Sequence, residues 1–206
     1  MRLGVLASHG GTNLQAIIDA CKEGRLEASV VVVISNNSSS MALERAAREE
    51  IPNHHISGVT HPKSKAQDGA ILAALEKHRV DLVILAGYMK LLGPPILSRY
   101  RNRILNSHPA LLPKFGGKRM YGSLVHEAVL DAKEEVTGVT IHLADDVYDH
   151  GPIVAQRQVP VVDGDTVATL MDRVQRRERL LWVETLQSIV RREVDLDAIG
   201  PSLTGP

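Results

Sequence analysis

Three short runs carry no polar face: Leu3-Gly4-Val5-Leu6-Ala7, Val30-Val31-Val32-Val33-Ile34 and Leu82-Val83-Ile84-Leu85-Ala86. A strand with one wet face alternates apolar and polar residues, whereas a strand covered on both faces does not, and β-branched residues suit its pleated surface. These runs predict strands inside a parallel sheet. Parallel strands need crossovers, and the segments between the runs have the composition of helices. Leu14, Ile17 and Ile18 recur at helical spacing, 41–50 is rich in Ala, Glu and Arg, and 64–78 places Ile71, Leu72 and Leu75 on its core side. A short strand is expected at 53–56, where His54 and His55 read as an edge feature rather than metal ligands. The βαβαβαβ order predicts an α/β fold of Rossmann-like type, an open, mostly parallel twisted sheet with helices on both faces.

The second half departs from this pattern. Residues 136–143 alternate with period two, 144–152 form a loop and 153–159 return as a strand, which predicts an antiparallel excursion near the C-terminal half. Asp163-Gly164-Asp165-Thr166 supplies a turn and an N-cap for a long amphipathic helix from 167 to about 190, with Val167, Leu170, Met171, Val174, Leu181 and Leu186 as its core stripe. A chain of 206 residues makes one substantial domain. Its 24 basic and 24 acidic residues cancel, so no overall field favours nucleic acid. No run approaches the roughly 18 apolar residues of a spanning helix, and the start lacks the apolar stretch of a signal peptide, so no membrane partner is expected and the cytoplasm is the expected location. The single cysteine, Cys21, excludes an internal disulfide and a thiolate metal cluster.

Two stretches carry candidate chemistry. Gly10-Gly11-Thr12-Asn13 follows the first apolar run and opens a helix. A glycine pair lets the backbone approach an anion, and a helix start presents unpaired amides with partial positive charge. The stretch is neither a Walker loop nor a three-glycine dinucleotide fingerprint. Its residues read equally as a phosphate cradle or as a plain turn with Thr12 or Asn13 as a cap. In the second stretch, Ile104-Leu105-Asn106-Ser107-His108-Pro109-Ala110-Leu111-Leu112-Pro113, the prolines forbid a helix and the apolar start reads as the end of a buried strand. Asn106 and His108, two apart, point the same way. A carboxamide can donate to a developing oxyanion, and a histidine can donate a second hydrogen bond or carry the proton, so the pair suits acyl transfer; a hydrogen-bonded loop pair is the plainer reading.

Beyond it, the segment from Lys114 to Gly122, with Gly116-Gly117 beside Lys118-Arg119, reads as a solvated basic connection in preference to a lid, and His126 as an ordinary helix histidine. Asp145, Asp146, Asp149 and His150 suggest a cation at first sight, but their spacing matches no calcium loop and no second ligand cluster accompanies them, so no metal is expected. Gln175 and Glu178 lie three apart on one helix face, the usual mark of surface polarity.

The segment from Asn106 to Pro113 is similar to the Asn-x-His-Pro-x-Leu-Leu-Pro signature of the formyltransferases that use 10-formyltetrahydrofolate, and Leu85-Ala86-Gly87-Tyr88-Met89-Lys90-Leu91-Leu92 resembles their folate-facing strand and loop. The likeness covers residue 2 to about 190 and implies the formyltransferase fold, 10-formyltetrahydrofolate as cosubstrate and no metal. It implies folate contacts at Tyr88, Met89, Lys90, Leu91, Leu92 and Asn106, and at the loop of Asp145, Asp146, Val147, Tyr148 and Asp149. The Asp-x-x-x-Asp-x-Gly-Pro pattern of that loop makes Asp149 the catalytic partner of Asn106 and His108. Gly11-Thr12-Asn13-Leu14-Gln15-Ala16-Ile17 resembles the phosphate-binding start of the purine branch, where Ser usually stands for Thr12, and Gln175-x-x-Glu178 matches the place that touches glycinamide ribonucleotide.

Three departures stand out: Lys90 replaces a frequent arginine, Lys63-Ser64-Lys65 do not supply the family's folate-associated arginine, and Ser107 stands where an apolar residue is common. The implied activity is formyl transfer to the amine of glycinamide ribonucleotide in purine synthesis. The implied organisation is one formyltransferase domain, 1–206, with a phosphate-binding half 1–100, a catalytic and folate-binding half 101–190 and a polar tail 191–206. A homodimer is left open. The rivals are a formyltransferase acting on another amine, such as an amino sugar nucleotide, and a noncatalytic nucleotide-binding module; the second domain of tRNA-acting relatives and the regulatory domain of the hydrolases are expected to be absent.

Overall fold

A computed structural model of the chain describes residues 1–199. These form two compact units that divide after Asn106. In the first, β1 (Arg2–Leu6), β2 (Ser29–Ser35), β3 (Asn53–His55) and β4 (Leu82–Leu85) alternate with α1 (Thr12–Lys22), α2 (Met41–Arg48) and α3 (Ser64–Lys77). The strands are parallel and lie in the order β3-β2-β1-β4, continued by β5 (Ile104–His108), whose first residues pair with β4 as Val83↔Ile104, Ile84↔Leu105 and Leu85↔Asn106. Burial explains the unbroken apolar runs, since Leu3, Val5, Leu6, Val32, Val33, Ile34, Val83 and Ile84 expose nothing. His54 and His55 lie on β3, at the outer end of this order.

The order reverses between β1 and β4, because β2 and β3 are laid down on one side of β1 and β4 and β5 on the other. At such a switch point the loops leaving the two central strands part and leave room for a ligand. One element was not expected from the sequence: α4 (Pro94–Arg99) is a six-residue helix opened by two prolines, which tolerate the first turn because its amides have no helical partner.

The second unit contains α5 (Ser123–Asp131), the antiparallel pair β6 (Val136–Leu143) and β7 (Ile153–Pro160), and α6 (Val167–Val190). Every residue of β6 after Val136 is buried, so its period-two alternation does not mark a wet face. Thr137, Thr140 and His142 are polar residues inside a covered strand. The register shifts between Ile141 and His142. The N-terminus of α6 is a capping box in which the Thr166 hydroxyl accepts from Thr169 N and the Thr169 hydroxyl from Thr166 N. Its buried stripe includes Leu170, Val174, Leu181 and Leu186 as expected, and also Trp182, Val183, Thr185 and Ile189, whereas Val167 and Met171 are half-buried. Of the expected polar tail, residues 191–199 carry turns with Leu196 buried, and 200–206 lie outside the described residues.

Candidate active site

In the first unit the chain leaving β1 is tied to the chain leaving β4. Ser8 N donates to the Gly87 carbonyl at 3.1 Å, and the Ser8 hydroxyl accepts from Met89 N at 2.8 Å while donating to Asn36 Oδ1 at 2.6 Å. These bonds bring the glycine turn and the segment from Tyr88 to Leu92 to the same end of the sheet. The turn closes with Gly11 as the N-cap of α1, at φ +65° and with no side-chain cap, so neither Thr12 nor Asn13 caps the helix. A Cβ on Gly11 would sit 2.8 Å from Ala42 Cα, so backbone freedom and close approach both require glycine there. Thr12 is exposed; Asn13 is buried and its Oδ1 has no partner. Tyr88 is half-buried, and burial, aided by the charge of Asp68, pushes its hydroxyl up to about 12. Leu92 is buried, while Lys90 and Leu91 are exposed.

Asn106 and His108 occupy one face of β5, as alternation requires. In the second unit His108 is nearly fully buried, with Nε2 2.7 Å from the Phe115 carbonyl and Nδ1 3.3 Å from Asp149 Oδ2. Both partners only accept, so a ring nitrogen bonds to either of them only as a donor. Asp149 Oδ1 faces His142 Nε2 at 3.6 Å, and His142 Nδ1 donates to the Leu143 carbonyl at 2.9 Å. Gly117 N donates to Asp149 Oδ2 at 3.0 Å.

Burial by itself would raise the Asp149 carboxyl. The bond from His108, then the facing His142 imidazole, the charge of His108 and the Gly117 amide outweigh it and hold the group well below the usual carboxylate range. Phe115 and Asp149 have φ of 57° and 56°, a left-handed state that non-glycine residues adopt only where the surroundings enforce it, and both touch His108. The 114–122 segment is therefore more than a solvated connection: through Phe115 and Gly117 it contacts both members of the His108–Asp149 pair.

The loop before Asp149 is held from within. Asp145 Oδ1 accepts from Val147 N at 2.8 Å and its Oδ2 pairs with His150 Nδ1 at 2.9 Å. Asp146, Val147 and Tyr148 project into solvent. A Cβ on Gly151 would run into the Leu143 carbonyl, which makes glycine obligatory where this loop meets β6. Among the described residues, no group of three or more His, Cys, Asp and Glu is arranged to hold a metal ion. His126 lies on α5 as expected, buried with Nδ1 unpartnered, and burial, with the charge of His108, holds it neutral to lower pH than usual.

Residues 1–186 match the family model described as formyl transferase. The chain belongs to the formyl transferase family. The phosphoribosylglycinamide formyltransferase of Mycobacterium tuberculosis is 42% identical over 193 residues, which make up 94% of this chain and 86% of that protein. The trifunctional purine biosynthetic protein adenosine-3 of Bos taurus is 40% identical over 199 residues, but this chain spans only 19% of its length. The crystal structure of glycinamide ribonucleotide transformylase 1 from Symbiobacterium toebii superposes with a TM-score of 0.89 at 38% identity, covering all of this chain and 94% of that one.

In this formyl transferase, three polar residues that sequence reasoning passed over hold the histidine and its turn. His142 is the second imidazole on Asp149. The Thr140 hydroxyl donates to the Ala110 carbonyl at 2.7 Å and accepts from Leu112 N at 3.1 Å and from Gln156 Nε2 at 2.8 Å, using its full donor and acceptor capacity. Gln156 also donates to the Leu112 carbonyl at 3.2 Å, and the Leu112–Pro113 peptide bond is cis. The available signal was polarity on β6: hydroxyl and imidazole groups in a covered strand need partners. Gln175 and Glu178 are half-buried on α6, and the Glu178 carboxylate accepts from the Ser107 hydroxyl.

Proposed function

We propose that the protein transfers the formyl group of 10-formyltetrahydrofolate to the amine of glycinamide ribonucleotide, a step of purine synthesis, and that it does so in the cytoplasm. The observation that carries this reading is the pairing of buried His108 with Asp149 on a strand that also presents Asn106. The supporting likeness is to proteins named for this activity over nearly the whole chain.

The turn of Gly11, Thr12 and Asn13 takes the ribonucleotide phosphate, with amides at the start of α1 and the Asn13 side chain as donors. Gln175 and Glu178 hold other parts of the ribonucleotide. Tyr88, Met89, Lys90, Leu91 and Leu92, together with Asp145, Asp146, Val147 and Tyr148, contact the folate. The neutral amine attacks the formyl carbon, and negative charge develops on the formyl oxygen. The Asn106 carboxamide and the His108 imidazolium donate to that oxygen, the His108 Nε2–H exchanging the Phe115 carbonyl for it. Asp149 keeps His108 charged and orients it. As the intermediate collapses, the carbon–nitrogen bond to the folate breaks and a proton from the attacking amine reaches the departing folate nitrogen through His108 and Asp149.

Loss of formylfolate, followed by absorbance with and without glycinamide ribonucleotide, tests the reading. Acceptor-dependent turnover is expected, falling by about a hundredfold or more in Asn106→Ala, His108→Ala and Asp149→Asn. Near wild-type turnover in all three would sink the mechanism. Turnover without acceptor would identify a hydrolase instead.

A further inference from the structure

Ser107 lies on the opposite face of β5 from Asn106 and His108, and its hydroxyl sits between two side chains of α6. It donates to Glu178 Oε1 at 2.6 Å and accepts from Trp182 Nε1 at 3.2 Å. Glu178 and Trp182 are four residues apart and so share one helix face. The proton bookkeeping leaves one arrangement. An indole N–H only donates and an ionised carboxylate only accepts, so a group joining them must do both. A hydroxyl can, and an apolar side chain cannot. Trp182 is fully buried, which anchors the donor end, and the indole occupies a lone pair of Oγ so that the single hydroxyl proton is directed at Glu178.

We infer that Ser107 is a positioning residue that fixes the Glu178 carboxylate for the hydroxyl-bearing part of the nucleotide substrate, with Trp182 as its anchor. The inference rests on the assignment of Glu178 to the ribonucleotide made above. A hydrogen bond between a neutral hydroxyl and a carboxylate is short and strong, so it holds Glu178 Oε1 in a fixed place on its helix face. The serine and the buried tryptophan thus act as one unit, spanning 75 residues of sequence.

The test is steady-state kinetics in both substrates for the wild type, Ser107→Ala, Ser107→Thr, Trp182→Phe and Glu178→Gln. Ser107→Ala is expected to raise KM for the ribonucleotide roughly tenfold while KM for formylfolate stays within about twofold, the loss expected of one charge-assisted hydrogen bond. Ser107→Thr, which keeps the hydroxyl, restores most of it. Trp182→Phe raises the same KM by a smaller factor. Emission from Trp182, the single tryptophan of the chain, should stay at a buried wavelength in the Ser107 and Glu178 variants, which reports that they fold.

An equal rise in both KM values, or a loss confined to kcat, would mark a merely structural serine and overturn the inference. If Glu178→Gln raises the ribonucleotide KM and Ser107→Ala leaves it unchanged, the positioning role fails while the proposed function stands. If Glu178→Gln leaves that KM unchanged, or the wild type shows no ribonucleotide-dependent turnover, the reading of Glu178 fails and this inference with it.

Discussion

Asp149 has the most demanding environment of the described side chains around His108. Two imidazoles and a backbone amide converge on a carboxylate whose side chain is only 9% exposed, at a residue held in the left-handed region. Asp tolerates that conformation better than most residues, and Asn does equally well, so Asp149→Asn tests the charge without disturbing the backbone. The native carboxyl titrates below its value in the unfolded chain. Its contribution to stability is therefore fully present above the unfolded value, near pH 4, and is lost as pH falls through the lower folded value. At neutral pH the substitution should cost about 2 kcal/mol, the worth of a buried hydrogen bond to a charged group. Melting curves should show the gap between wild type and variant persisting into mildly acidic solution and narrowing only below about pH 4. A gap that closed already at pH 6 would mean that the carboxylate is not the stabilising group. The shared face of Asn106 and His108 was legible in the sequence, but the place of His142 beside Asp149 was not, because a histidine inside a period-two strand looks like any other covered residue until its neighbour is known.

At the level of elements, β6 carries the turn that follows β5. Thr140 meets three partners within the turn and β7, and an isosteric apolar side chain would take this partner from the Ala110 carbonyl and the Leu112 amide while Gln156 keeps its bond to the Leu112 carbonyl. Thr140→Val should therefore destabilise the protein by about 2–3 kcal/mol in chemical denaturation and also lower kcat, since the turn from Pro109 to Pro113 is continuous with His108. A variant as stable and as active as the wild type would show that ordered water replaces the hydroxyl. The sequence located β6, β7 and α6 to within a residue or two, because hydrophobic periodicity and capping are local signals. It missed α4, where Gly93-Pro94-Pro95 reads as a break although proline suits the first turn of a helix. It also placed too few residues in the stripe of α6, since Trp182, Val183 and Ile189 extend burial around the helix beyond one narrow face.

For the whole molecule, equal numbers of acidic and basic residues leave a formal net charge of zero at pH 7. Repulsion between molecules is weakest there, so solubility should pass through a minimum near neutrality and rise by pH 8.5, as light scattering at fixed protein concentration would show. A monotonic change across that range would mean that local patches, rather than net charge, govern association. The covering of β1, β2 and β4 on both faces, the parallel order of the first unit and the antiparallel pair of the second were determined by the sequence alone, because apolar periodicity states which faces of an element avoid water. Only the tertiary structure decided that Gly11 rather than a side chain caps α1, that Phe115 and Gly117 contact the His108–Asp149 pair, and that Ser107 joins Trp182 to Glu178. Those facts depend on which donor meets which acceptor across stretches of up to 75 residues, and hydrogen-bond partners at that separation are selected by packing, not by any period in the chain.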